Sequence, residues 1–413
     1  MSTLRFEDGA VQFRQRIVVS LLSHRSLLLR NIRSDDLQNP GLKEHEASFL
    51  RLIDQMTNGS KMEINSTGTQ LRFKPGVLLG GDINHECPNS RSIGWFVEGI
   101  LPLAPFGKEN LEITFTGITD GLCDVDPSAD YLNRSTAQIF KQFGIGVDED
   151  EDEQPQIQVL QRAAAAAPDV VAANANQNNP NYTGKVILTC PIIKQSLRSI
   201  DWVDPGRIKR IRGNAVSCKI VSSSMAARVA YAAKGVFHRV LPDVWIHTDV
   251  HTQKRHRCGP NPGVMMVVSS ESDTGVTLTA ECCMNQHNHK QQQQRDQQQQ
   301  SSDDNNNSTN TRGGLELPED MGKRGAYMLL EEIRRGGCID THCQSLAFLW
   351  MALTPEDVSR IRVGTLSQYS IETLRLIKQA FDVEFKVTPD MDTKTVLLSC
   401  LGTGYRNMAK AST

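Results

Sequence analysis

Two stretches of this chain cannot join a packed core, and they decide how the rest must be divided. Within residues 284–314 runs "NQHNHKQQQQRDQQQQSSDDNNNSTNTRGG", which has too few apolar side chains for burial to offset the entropy of ordering it. The stretch 147–184 opens on six consecutive acids, Asp148 to Glu153, and continues through "AAAAAPDVVAANANQNNPNYTG". Both are expected to be disordered insertions, which a fold tolerates at small entropic cost. The domain reading follows from them. Residues 1–184 form the first part of a large domain, with 147–184 as its insertion; 185–283 form a smaller inserted domain; 284–314 are the second insertion; 315–413 are the C-terminal part of the large domain.

Each block mixes helical and strand patterns. "RQRIVVSLLSHR" reads as a helix and "SLLLRNI" as a strand. "GLKEHEASFLRLIDQMT" places Phe49, Leu50, Leu52, Ile53 and Met56 on one helical face, and "KMEINSTGTQLRFKPG" alternates as a hairpin does. In the middle block a basic strand, a small-residue helix ("SSSMAARVAYAAKGVFHRVL") and three more strands make a compact unit. The last block holds the helix "LPEDMGKRGAYMLLEEIRRGG", the apolar run "SLAFLWMAL", the turn "GTLSQYSIETLRLIKQ" and a last strand "DVEFKV". In that turn Ser370 is expected to cap a helix whose buried face is Ile371, Leu374, Ile377 and Phe381, with Tyr369 placed to face a cleft. Helices with paired strands argue for an α+β fold.

A chain of 413 residues with a formal charge of −2 has no overall basicity to advertise nucleic acid. Its ten cysteines show no CxxC pair, and no GxxxxGK[ST] loop occurs. The N-terminal "MSTLRFEDGAVQFRQRIVV" puts acids and arginines where a signal peptide needs an apolar run, so a reducing intracellular compartment is expected. The longest apolar runs fall far short of the ~20 residues that span a bilayer, and no membrane partner is expected. His247, His251, His256 and Cys258 lie close in sequence, as do Cys338, His342 and Cys343, but neither set has a convincing ligand spacing, so no metal and no cofactor are expected.

Charge is segregated along the sequence. Between Pro205 and Arg257 there are eleven Lys and Arg against two acids, Asp243 and Asp249. In "DPGRIKRIRGN", Arg207, Lys209, Arg210 and Arg212 are candidates for phosphate contact, with Ile208 and Ile211 turned inward. Few aromatics interleave with these cations in sequence, so backbone or shape recognition of RNA is expected rather than base stacking.

Several segments together resemble the RNA 3′-terminal phosphate cyclase family: "FEDGAVQFRQRI", "IRSDDLQNPGLKEHEASFLRLI", "LRFKPGVLLGG", "GITDGLCDVDPSADYLNR", "PGRIKRIRG" and "DTHCQSLAFLWMAL". The resemblance covers nearly all of the chain outside the two insertions. Within the family, "NPGLK", "SFLRLI", "TNGS", "GWFVE" and "LAPF" look like the cyclase-like branch of eukaryotic ribosome assembly. The resemblance implies a large domain of repeated βαβαββ units carrying a smaller inserted α/β domain. It also implies, for true cyclases, adenylylation of a histidine by ATP. The position matched to that histidine is Tyr369, and a phenol is a poor nucleophile without strong activation. Of the remaining pocket residues Glu7, Arg14 and Arg33 survive. The glycine run is broken to Glu7-Asp8-Gly9-Ala10, a second arginine falls at Asp36, and an Asp-Gln pair is Ser345-Leu346.

The resemblance therefore implies a non-catalytic assembly factor of the small-subunit processome, located in the nucleus and nucleolus. Its implied partners are pre-ribosomal RNA and the large nucleolar GTPase of that particle. The alternative is an endonuclease cutting a pre-rRNA spacer, with Arg375 and Lys378 steadying a phosphate. A surviving cyclase using another nucleophile, such as His342 read on a helix, is the minor alternative.

Overall fold

A computed structural model describes residues 3–121, 125–147, 154–164, 184–194, 196–219, 224–251, 258–259, 261–284 and 316–407. The insertion at 284–314 lies outside them save for Met284. Eight helices are described: α1 (Phe13–Ser23), α2 (Glu44–Met56), α3 (Ile93–Ile100), α4 (Ala129–Gln142), α5 (Ser224–Phe237), α6 (Pro318–Arg335), α7 (Gln344–Leu353) and α8 (Gln368–Phe381). With mixed parallel and antiparallel sheets they make an α+β fold.

The first sheet holds β1 (Leu4–Phe6), β2 (Leu27–Leu29), β4 (Lys61–Ile64) and β5 (Leu71–Lys74) in the order β1-β2-β5-β4, beside a ribbon of β3 (Thr57–Asn58) and β6 (Val77–Leu78). A second sheet orders β7 (Gly81–Glu86), β8 (Leu111–Gly117), β9 (Gln156–Gln161) and β10 (Gly184–Cys190) as β7-β8-β10-β9. A third orders β11 (Asp201–Trp202), β16 (Val358–Val363), β17 (Lys386–Asp390) and β18 (Thr395–Leu401) as β11-β16-β18-β17. In all three, the first two strands pair parallel and the last two join antiparallel. A parallel pair needs a crossover, whereas an antiparallel pair can close through a short turn. The fourth sheet comprises β12 (Ile208–Cys218), β13 (Val244–His251), β14 (Gly263–Ser272) and β15 (Thr277–Met284) in the order β13-β12-β14-β15, and enters the chain between β11 and β16.

"SLAFLWMAL" is apolar all round because α7 is buried all round; Trp350 is 0 % exposed and packs at 5.4 Å from the rings of both Phe140 and Phe143. The five apolar residues expected on one face of α2 are all buried.

Three expectations need correcting. The 147–184 stretch is not wholly an insertion, because β9 lies within it and pairs antiparallel with β10; the charged flank hides a short alternating strand. Helix α6 packs on α5, β14 and β15, so the chain stays with the fourth sheet until Arg335 instead of leaving it before residue 315. "DVEFKV" is not the last strand. Asp382 adopts φ 59° and ends α8, β17 begins at Lys386, and β18 follows it as the strand that bridges β16 and β17.

Candidate functional site

A cleft of about 1090 Å³ opens between α6 and β15 on one side and α3, α4 and the start of α8 on the other. Its base is built around Arg14. That side chain leaves α1, is 6 % exposed, and donates to the Trp95 carbonyl and, at 2.5 Å, to Glu98 Oε2. Its guanidinium also lies 4.7 Å over the Trp95 ring. The route is open because residue 99 is glycine: a Cβ there would come within 2.5 Å of Arg14 Cδ. Burial works against both charges of the pair. Each more than offsets that for the other, so Arg14 is held above and Glu98 below its ordinary pKa.

Tyr369 sits in the first turn of α8, its phenol oxygen accepting from Gln15 Nε2. Burial, helped by the Glu98 charge, pushes it up to about 12 against the opposing Arg14. It is a protonated phenol at neutral pH. His342 Nε2 lies 3.6 Å from Glu98 Oε1, and its ring meets Tyr131 edge-on at 5.4 Å. The expectation that His342 lies on a helix is corrected, since it occupies the turn just before α7.

The cap of α8 is corrected too. Ser367 holds that position, its Oγ accepting from the Ser370 N–H at 3.1 Å. Ser370 is inside the helix and buried, donating to Gln344 Oε1 at 2.9 Å. The face that packs inward is Ser370, Thr373, Leu376, Ile377 and Ala380. Ile371, Leu374 and Phe381 become half-buried flanks.

Electrostatically the cleft is closed. Each of its five cations has a carboxylate: Arg14 with Glu98 at 2.5 Å, Arg91 with Asp126 at 2.6 Å, Lys323 with Asp320 at 3.3 Å, Arg324 with Glu316 at 2.9 Å, and Arg335 with Glu332 at 2.8 Å. Across its floor Glu281 accepts the Ser128 N–H with both oxygens, at 3.0 and 3.2 Å. Burial raises this carboxyl to about 7. A triphosphate entering here would have to compete with a carboxylate for each of these cations, most steeply at the Arg14–Glu98 pair, which is largely withdrawn from water.

Of the four residues expected to mark a remnant pocket, the fold brings together Arg14 and Tyr369. Glu7 is exposed, 3.3 Å from Arg30, and Arg33 is tied to Glu46 and the Gly41 carbonyl; neither lines the cleft. Asp36 turns its carboxylate onto the N–H groups of Gln38 and Asn39. Glu98, Arg91, Asp126 and Glu281 were missed. Glu98 closes the quoted "GWFVE" and Asp126 lies in "DVDPSAD", but nothing in either segment tells which cation each acid will meet.

The basic strand is less free than its sequence suggests. Arg207 and Lys209 are exposed, but Arg210 pairs with Glu271 at 2.5 Å, and Arg212 grips Asp243 through two bonds of 2.9 and 3.0 Å. Ile211 is buried, whereas Ile208 is only half-buried because an irregularity between Ile208 and Arg210 breaks the alternation. On α8, Arg375 is exposed and Lys378 pairs with Glu384 at 2.6 Å.

The model of the RNA 3′-terminal phosphate cyclase family matches residues 5–387. A probable RNA 3′-terminal phosphate cyclase-like protein of Dictyostelium discoideum is 42 % identical over 410 residues, covering 99 % of this chain and 100 % of that one. The human RNA 3′-terminal phosphate cyclase-like protein is 38 % identical over 97 % of this chain and 96 % of its own. An rRNA processing protein of Schizosaccharomyces pombe is 33 % identical over 99 % of both. The chain belongs to the RNA 3′-terminal phosphate cyclase family, in its cyclase-like branch.

Proposed function

We propose that this protein is a non-catalytic factor in small-subunit rRNA maturation. It acts by binding pre-ribosomal RNA and the large nucleolar GTPase of the small-subunit processome, in the nucleus and nucleolus. The observation that carries the reading is Tyr369: a phenol pushed up to about 12 stands at the nucleophile position, beside an Arg14 already committed to Glu98. The rRNA processing role of the Schizosaccharomyces pombe relative, similar along its whole length, supports the biological setting. The endonuclease reading draws on Arg375 and Lys378, and the pairing of Lys378 with Glu384 leaves it with little.

The test is incubation with ATP labelled on its α-phosphate, with a true cyclase in parallel, read on a denaturing gel. No protein-bound label is expected. A band removed by Tyr369→Phe or His342→Ala overturns the non-catalytic reading. Depletion of the protein is expected to accumulate small-subunit rRNA precursors, and unchanged precursor levels would remove the processing role. Co-purification from nuclear extract tests the GTPase.

A further inference from the structure

The outer face of the fourth sheet is half covered. Helix α4 lies over β14 and β15, where Arg134 donates to Ser269 Oγ at 3.3 Å and the Thr277 N–H donates to Gln138 at 2.7 Å. Beyond it, β12 and the edge strand β13 turn side chains to solvent. On β13, Val244 and Ile246 point into the core, and Trp245, His247 and Asp249 point out. Trp245 is 60 % exposed, whereas Trp202 and Trp350 are buried and Trp95 half-buried. An indole this exposed on a sheet calls for an explanation by contact.

Its neighbours say which contact. The parallel register sets Trp245 beside Arg212 and His247 beside Asn214. The two-bond grip on Asp243 fixes the Arg212 guanidinium on the strand that neighbours Trp245. The His247 ring follows at 6.2 Å, tilted by 35°. Lys209, exposed on β12, is near enough to help Arg212 and Arg210 hold the Asp243 carboxyl below its ordinary range. Arg207 stands two residues away, exposed and, among the described residues, in no ion pair. A protein anchor would be rimmed by apolar side chains; this rim is polar, with Arg, Lys and Asn beside Asp249 and the paired Asp243 and Glu271. Aromatic faces on an open sheet with cations at their border are what stacks unpaired bases and tracks the phosphates between them.

We propose that Trp245 and His247 form a stacking platform for single-stranded RNA, with Lys209 and Arg207 engaging the adjoining phosphates. The platform rests on the RNA-binding reading above and narrows it to unpaired strands at a defined place.

The full chain, titrated with a labelled unstructured oligouridylate and with a blunt RNA duplex, tests it by anisotropy and indole emission. Single-strand binding is expected to quench emission. Trp245→Ala is expected to weaken that binding about tenfold or more and to abolish the quench. Trp245→Phe keeps most of the affinity without the quench, and duplex affinity is unmoved by either. Unchanged single-strand affinity in Trp245→Ala, the result if the indole anchors a protein instead, overturns the platform and leaves RNA binding standing. No binding of either RNA by the unaltered protein at low salt overturns both.

Discussion

The cleft and the outer face of the fourth sheet are both rich in arginine, and they use it in opposite ways. In the cleft every cation is answered by a carboxylate, with Arg14 and Glu98 both largely withdrawn from water. On the sheet face Arg210 and Arg212 are answered, while Arg207 and Lys209 are exposed and, among the described residues, in no ion pair. A partly buried, neutralised pair holds structure, because separating it strands a charge in a poor solvent. An exposed cation has little to lose and can exchange its counterion for a phosphate. On the proposed reading the cleft works as an internal joint, and the cations free to meet an anionic partner are those of the sheet face.

The sharpest way to break this contrast is Arg14→Ala. It leaves Glu98 buried without its partner and is expected to cost about 3–5 kcal/mol in denaturant unfolding. The double change Arg14→Met with Glu98→Leu should recover most of that loss. A cost below about 1 kcal/mol for Arg14→Ala would mean the cleft pairs are as dispensable as surface ones.

Glu281 tests the joint by pH. Its carboxyl rises from its ordinary 4.5 to about 7 on folding, so the folded state holds a proton that the unfolded state releases. That contribution is fully present below about pH 4.5 and lost as pH rises through about 7. Glu281→Gln keeps an acceptor for the Ser128 N–H. It should raise stability at pH 8 by about 1–2 kcal/mol and flatten the profile between the two values. A parallel profile for the two proteins would show that Glu281 is solvated.

Ser367→Ala is expected to cost about 1 kcal/mol, the loss of one helix cap; an unchanged midpoint would return the capping role to another residue. On the sheet face the effect is smaller and appears as a slope. Arg207→Ala with Lys209→Ala should reduce the salt dependence of single-strand binding by about 1.4 in log–log slope, at about 0.7 per phosphate contact. Neutralising Arg210 and Glu271 together, as Gln and Gln, should leave the slope nearly unchanged. Equal effects from the two double changes would erase the distinction between free and committed cations.

Local pattern was enough for much of the fold. The apolar face of α2, the β4–β5 hairpin and the all-apolar α7 follow from periodicity, because burial by one neighbour or by all sides writes a different pattern. It failed where context decides. Ser367 and Ser370 are both capable caps three residues apart, and only the Ser370–Gln344 bond settles which lies inside the helix. β9 follows a run of acids and is a strand because β10 is there to pair with it.

The candidate site shows the same division more strongly. The sequence alone determined that Arg14, eleven clustered cations and Tyr369, matched by resemblance to the cyclase histidine, exist to be placed. It also suggested that few aromatics accompany those cations. The parallel register of β12 and β13 sets Trp245 against Arg212 across 33 residues of chain. Glu271, Asp243 and Glu319 likewise return to cancel Arg210, Arg212 and Arg228. Charge and stacking act through space over a few ångströms, and distance along the chain does not measure that space. Which cations are spent and which remain was therefore decided by tertiary structure.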